Sequence, residues 1–228
     1  MTTHVDHPAP DSTSEPPIAR ISARFGIAFA ACQLAVMVAM AAFVLPQGGD
    51  PGDPALTRGR SVLDAVTAYR VGNYAFMVAG VLLLGSSGVV PPRLRRVDTT
   101  GVLSAVALAS GTLLALIWPF AGALHDVALD TAVAGTDPRI LAGWDSVAPF
   151  ALAFSALVRV FFVGSLVLGL RLAGTAPRLQ RLGLVLIPVS LVGSATLLTG
   201  ALFPLLALGT LGYELWVAAV AWHWLRTS

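Results

Sequence analysis

Six apolar runs, each about twenty residues long, recur along this chain at about 25–45, 71–90, 101–120, 148–170, 182–203 and 205–225. A helix of about twenty residues rises about 30 Å, the thickness of the hydrocarbon core of a bilayer. Inside lipid the backbone has no water to bond, so a spanning run that is not part of a closed barrel must be helical. Composition leads to the same place. The chain is 56% hydrophobic and 11% charged, against about 25% charged in soluble domains, and its mean hydropathy is +0.80. Too few polar residues exist to cover a water-facing surface. The expected fold is all-α: a polytopic membrane protein, a bundle of six transmembrane helices over residues 18–228, preceded by a tail at 1–17. That tail is rich in His, Pro, Asp, Ser and Thr and is expected to be disordered. Its acidic charges, and the length of the first apolar run, exclude a signal peptide.

The arginines orient the bundle. Six spans place both termini on one side. Arg20, Arg24, Arg93, Arg95, Arg96, Arg171, Arg178, Arg181 and Arg226 then share that side, and only Arg58, Arg60, Arg70 and Arg139 fall opposite. The positive-inside rule predicts cytoplasmic termini. Trp118, Trp144, Trp222 and Trp224 lie near span ends, as interfacial belts require. Topology therefore accounts for the basic residues, and the net charge of +2 gives no reason to expect nucleic acid as a partner. The chain has no lysine and abounds in Ala, Val, Leu and Gly. This reads as the coding bias of a GC-rich bacterial genome, and the predicted location is the bacterial cytoplasmic (inner) membrane.

Between the spans, Ser61 and Asp64 form a capping-box pattern. Val62, Leu63, Val66 and Tyr69 follow on one helical face, so a short amphipathic helix on the membrane surface is predicted there. Pro91-Pro92 is expected to end the second span and Trp118-Pro119 the third. The stretch 121–147 is predicted to be an acidic outer loop. Pro188 interrupts the fifth span and frees a backbone carbonyl, and Ser190, Ser194, Thr196 and Thr199 are expected to satisfy it or a neighbouring helix.

Two charges resist this account. Arg159 sits about eleven residues into the fourth run and Glu214 about nine into the sixth. Both runs point inward, and at about 1.5 Å per residue the two residues reach nearly the same depth. An arginine at the bilayer centre costs about 2.5–3.5 kcal/mol on insertion scales. The apolar neighbours outweigh that, but the charge needs a partner inside the bundle. The sequence predicts a buried Arg159–Glu214 pair, with Gln33 of the first span as a further polar candidate. Small residues flank both charges, Ser155 and Ala156 on one side and Ala207, Thr210, Ala218 and Ala221 on the other, and these allow close helix approach. Weaker is a divalent-cation candidate at Asp126, Asp130 and His125. The two carboxylates, four apart, share a face if that stretch is helical, but the bland reading is an acidic solvated loop. His223 beside two tryptophans reads as an interfacial residue.

No His-Glu-x-x-His, Gly-x-Ser-x-Gly, phosphate-binding loop or paired cysteines occur, and Cys32 stands alone. No catalytic residue, metal ligand set or cofactor is assigned.

Several stretches resemble the bacterial six-helix membrane proteins of domain-of-unknown-function family 4386: Ile18-Ala19-Arg20-Ile21, Tyr69-Arg70-Val71-Gly72-Asn73, Leu182-Gly183 and Glu214-Leu215-Trp216. The resemblance implies six helices in a bacterial inner membrane. It implies no activity, and no catalytic residues carry over. The leading functional expectation is a non-enzymatic membrane protein, structural or bound to a membrane-protein partner or to its own copies, with the Arg159–Glu214 pair holding the bundle. The alternative is a small transporter or ion-coupled carrier that uses the pair at mid-depth. A lipid-acting enzyme built on the acidic outer loop ranks last.

Overall fold

The structure is a computed structural model and describes residues 17–44, 46, 53–131 and 137–227. The expected tail lies outside these residues except for Pro17, which opens the first helix. All the regular structure among the described residues is helical. In chain order the helices are α1 (Pro17–Ala39, continued by a π-helical turn at Met40–Val44), α2 (Ala55–Asp64), α3 (Val66–Ser87), α4 (Val90–Arg95), α5 (Val102–Thr131), α6 (Pro138–Asp145), α7 (Val147–Leu172), α8 (Pro177–Ser194) and α9 (Phe203–Arg226). Six of these are long and apolar enough to cross a membrane: α1, α3, α5, α7, α8 and α9. Their outer faces carry the side chains that lipid would meet. Leu198 is 88% exposed and Phe120 68%, which water would not tolerate in rows of this length. The protein is thus a six-helix, multi-pass membrane bundle.

The six spans close into a ring. Each packs on the next in sequence, and α9 packs back on α1. The start of α1 and the end of α9 lie at one end, where Arg93 of α4 donates to the Trp224 carbonyl of α9 at 3.2 Å and stacks its guanidinium 5.2 Å from the Trp224 ring. The opposite end is capped by α2 and α6, which pack on each other. There Val44, Val62, Tyr69, Leu129 and Leu141 form a small apolar cluster. The main core runs through Phe29, Leu83, Leu114, Phe162, Leu166, Tyr213 and Trp216. The most enclosed span is α7, with 56% of its apolar window buried, against 28% for α1 and α8. It is also the span that carries the arginine.

Several boundaries differ from the expectations. The Ser61–Asp64 cap is not used. The helix starts earlier, after Pro54, and ends at Asp64, so Ser61 is buried inside α2 while Val66 and Tyr69 belong to α3. Pro91-Pro92 does not simply end a span. The two prolines occupy the first turn of α4, where a missing N–H costs nothing. Trp118-Pro119 does not end the third span either. α5 continues through Pro119 to Thr131, so the first eleven residues of the predicted outer loop are helix. Proline in lipid is tolerated where a neighbour covers the carbonyl it frees, and Gly80 of α3 lies directly against Ala115 O. In the fifth span α8 stops at Ser194. Two 3₁₀ turns, Ala195–Leu197 and Gly200–Leu202, flank the extended Thr199. The hydroxyls of Ser194 and Thr196 donate to Leu191 O and Gly193 O rather than to the carbonyl freed by Pro188.

The start of α5 uses a device not read from the sequence. Asp98 accepts the hydroxyl and N–H of Thr100 and, at 2.8 Å, the N–H of Leu103. Gly101, at φ +74°, makes the turn into the helix. The Thr100 hydroxyl first, then the Leu103 N–H, hold the Asp98 carboxyl below its ordinary value of 3.8. A depressed carboxyl stabilises the fold above its unfolded value and loses that contribution as the pH falls through its folded value. Asp98→Ala is therefore expected to lower the thermal midpoint in detergent at about pH 7 and to lose that deficit progressively as the pH falls below the ordinary value of 3.8. A deficit that stays constant across this window removes Asp98 as the cause.

Candidate functional site

Arg159 is the twelfth residue after Val147 and Glu214 the eleventh after Phe203, so each lies about 17–18 Å into its helix. The structure brings α7 and α9 together at this depth. Arg159 is 1% exposed and Glu214 1%, which makes them the only ionised-type side chains among the fully buried ones of the described residues.

The direct ion pair predicted from the sequence is not formed. The Arg159 guanidinium is turned instead to Thr210 and Tyr213. Nη1 and Nη2 donate to Thr210 Oγ1 at 3.3 and 3.2 Å, and Nη2 donates to Ser155 Oγ at 3.3 Å. The cation lies 4.6 Å from the centroid of the Tyr213 ring, within cation–π range. Both hydroxyls spend their protons on their own helices, Thr210 on Leu206 O at 2.9 Å and Ser155 on Leu152 O at 2.7 Å. Their lone pairs are thereby left facing the arginine. Phe29 of α1 and Phe162 of α7 meet the Tyr213 ring edge-on, with centroids at 6.3 and 6.4 Å, and fix its plane.

The reason is angular. Adjacent residues on a helix point about 100° apart. Tyr213 and Glu214 therefore point apart, and Ala221, two turns on from Glu214 and on nearly its face, looks onto α1. There Gly26 meets Ala221 and Val217, a Cβ at Gly26 falling 3.0 Å from Ala221 Cβ. The two helices run in opposite directions. Two turns further along each, the same register sets Gln33 opposite Glu214. Gln33 is also 1% exposed. The residues predicted from the sequence, Arg159, Glu214 and Gln33, thus belong to one mid-depth layer contributed by three helices. Tyr213 was missed. Its only signal was an aromatic ring adjacent to a membrane-depth acid, in a run where aromatics are common.

This layer is short of partners. Arg159 Nε, Tyr213 Oη, Glu214 Oε2 and Gln33 Nε2 are all buried with no hydrogen-bond partner. Native interiors leave few such atoms, and each costs about 1–3 kcal/mol when unmatched. Four such atoms, from three helices, make a layer of unmatched polar groups near mid-depth.

The weaker candidate resolves differently. His125, Asp126 and Asp130 lie on the last turns of α5, not in a loop, and their partners are on α3. Asn73 bridges the first two: its Oδ1 is 3.1 Å from His125 Nδ1, and its Nδ2 donates to Asp126 Oδ1 at 2.8 Å. Tyr69 packs edge-on against His125 at 5.3 Å. Asp130 is paired with Arg70 at the surface. Among the described residues no three His, Cys, Asp or Glu side chains are grouped to hold a metal, so the cation candidate is not assembled. What the structure has instead is a polar α3–α5 clasp. Asn73→Ala is expected to cost about 1–3 kcal/mol, because it strips partners from a buried histidine and a carboxylate. Asp130→Asn should cost under about 0.5 kcal/mol, since its pair is 52% and 71% exposed. Thermal or chemical unfolding in detergent compares the two directly, and equal losses would reject this division.

No family model, curated protein or solved structure matches the chain.

Proposed function

We propose that this chain is a small carrier, moving an ion or a small polar solute through a site at mid-depth in the bundle. The supporting observation is the set of buried, unpartnered polar atoms on Arg159, Tyr213, Glu214 and Gln33. A purely structural pair would bring the carboxylate onto the guanidinium. Here the guanidinium is held by Thr210, Ser155 and the Tyr213 ring, and the carboxylate oxygen Oε2 is left for something else. Intramembrane ionisable residues belong by default to pathways for ions, protons or substrates.

The arginine distribution supports termini in the cytoplasm. The composition, together with the resemblance to domain-of-unknown-function family 4386, supports a bacterial inner membrane as the setting. The reading needs no enzyme activity, cofactor or nucleic acid.

A carrier must admit water to its site in at least one state. The test is labelling of Glu214 in proteoliposomes by a water-soluble carbodiimide with an added amine, read by mass spectrometry of the peptide and with Glu214→Gln as the blank. Labelling from one or both faces is expected, and it should slow when the site is occupied by a candidate solute. A folded protein whose Glu214 stays unlabelled over hours from both faces rejects the carrier. The buried layer is then a structural feature of a partner-binding or scaffolding protein.

A further inference from the structure

At the end of the bundle where α1 starts and α9 ends, a cleft of about 180 Å³ opens between α4, the last turns of α7 and the end of α9. One water needs only about 10–15 Å³ of such space, so the cleft has room for a larger polar group. Its walls are of two kinds. Arg93, Arg96 and His223 supply guanidinium and imidazole donors at the rim, with Thr227 beside them. Leu166, Leu170 and Gly169 give an apolar floor. Arg93 is held in place by the Trp224 carbonyl and ring, so one wall of the cleft is pre-set.

Among the described residues the charge around the cleft is mostly of one sign. Arg95 and Arg171 stand on the helix ends that form the cleft, and both are exposed. Among the described residues Asp98 is the only acid at this end, and its two oxygens are taken by Thr100 and Leu103. Cationic donors over an apolar floor, at the depth where a membrane's headgroups lie, match a phosphate diester with the start of a lipid tail. Basic pockets between helix ends recognise such headgroups, and guanidinium is well suited to phosphate.

We propose that this cleft is a binding site for a phosphate-bearing anion, with the headgroup of an anionic phospholipid as the fitting source and free phosphate as the other. The site is separate from the mid-depth layer and does not depend on what that layer carries.

The test uses the full chain in a neutral maltoside detergent. Phosphatidylglycerol, phosphatidylcholine and inorganic phosphate are titrated separately, with binding read by native mass spectrometry and by the thermal midpoint. Saturable binding of phosphatidylglycerol over phosphatidylcholine is expected, weakening with added salt. In Arg96→Gln/His223→Gln it should fall about ten-fold or more, the effect of losing a charge-assisted bond. Arg178→Gln, on the same end but outside the cleft, should leave it unchanged. The double variant must match the native midpoint without ligand, and Arg96→Gln alone serves if it does not. Inorganic phosphate that saturates and is lost in the same variant supports the site with free phosphate as its source. Absence of saturable binding by either anion overturns the proposal, and so does binding that the cleft variants leave intact.

Discussion

Arg159→Leu is expected to destabilise the bundle by about 3–5 kcal/mol, while Glu214→Gln costs under about 2 kcal/mol. The asymmetry follows from which residue holds the contacts. Arg159 engages Thr210, Ser155 and the Tyr213 ring. Its loss leaves two lone-pair-bearing hydroxyls and an aromatic face against a leucine, and strands Glu214 without a nearby cation. Glu214→Gln keeps the shape of the side chain, and Oε2 has no hydrogen bond to forfeit. The double variant Arg159→Leu/Glu214→Gln should recover only part of the arginine's loss, because Thr210 and Ser155 still face an apolar group. Unfolding in detergent across the four proteins of the cycle gives the answer. Equal losses from both single changes, with full recovery in the double, would mean the two charges act as one directly coupled structural pair, and the mid-depth site would lose its basis.

The same residues show where sequence reasoning stops. The depth of Arg159 and Glu214 was legible, since rise per residue is constant and both runs have clear ends. Which way each side chain turns was not. At about 100° per residue, a choice between Tyr213 and Glu214 rests on how α9 is rotated, and that is set by contacts far from the site. One such contact is the bond from Trp216 Nε1 to Leu179 O at 2.8 Å. Another is the crossing of α1 and α9 at Gly26. The clasp at His125 was misplaced for a related reason. Its residues were visible, but the rule that proline ends helices moved them from α5 into a loop. Asn73 and Arg70, their partners, lie more than fifty residues away in sequence, and no local pattern links them.

Pro119 is also the point at which the packing of α3 on α5 can be tested most severely. At Pro119 the chain lacks the N–H that would bond Ala115 O, and Gly80 of α3 packs directly against the gap. A Cβ placed on Gly80 would lie 2.4 Å from Ala115 O and 2.4 Å from Pro119 Cδ. Neither atom is the end of a flexible side chain, so the two helices must separate. Gly80→Ala is therefore expected to cost about 3 kcal/mol, at the upper end of ordinary overpacking, even though alanine is the better helix former by about 1 kcal/mol. Pro119→Ala restores the bond from residue 119 to Ala115 O and draws that carbonyl back into α5. It also removes the ring. Combined with Gly80→Ala, it should return about half of the lost stability or more. Measured as midpoints in detergent, a Gly80→Ala protein as stable as the native one would show that α3 and α5 have room to spare at this crossing. The continuity of α5 through Pro119 would then need a cause other than the cover that α3 provides.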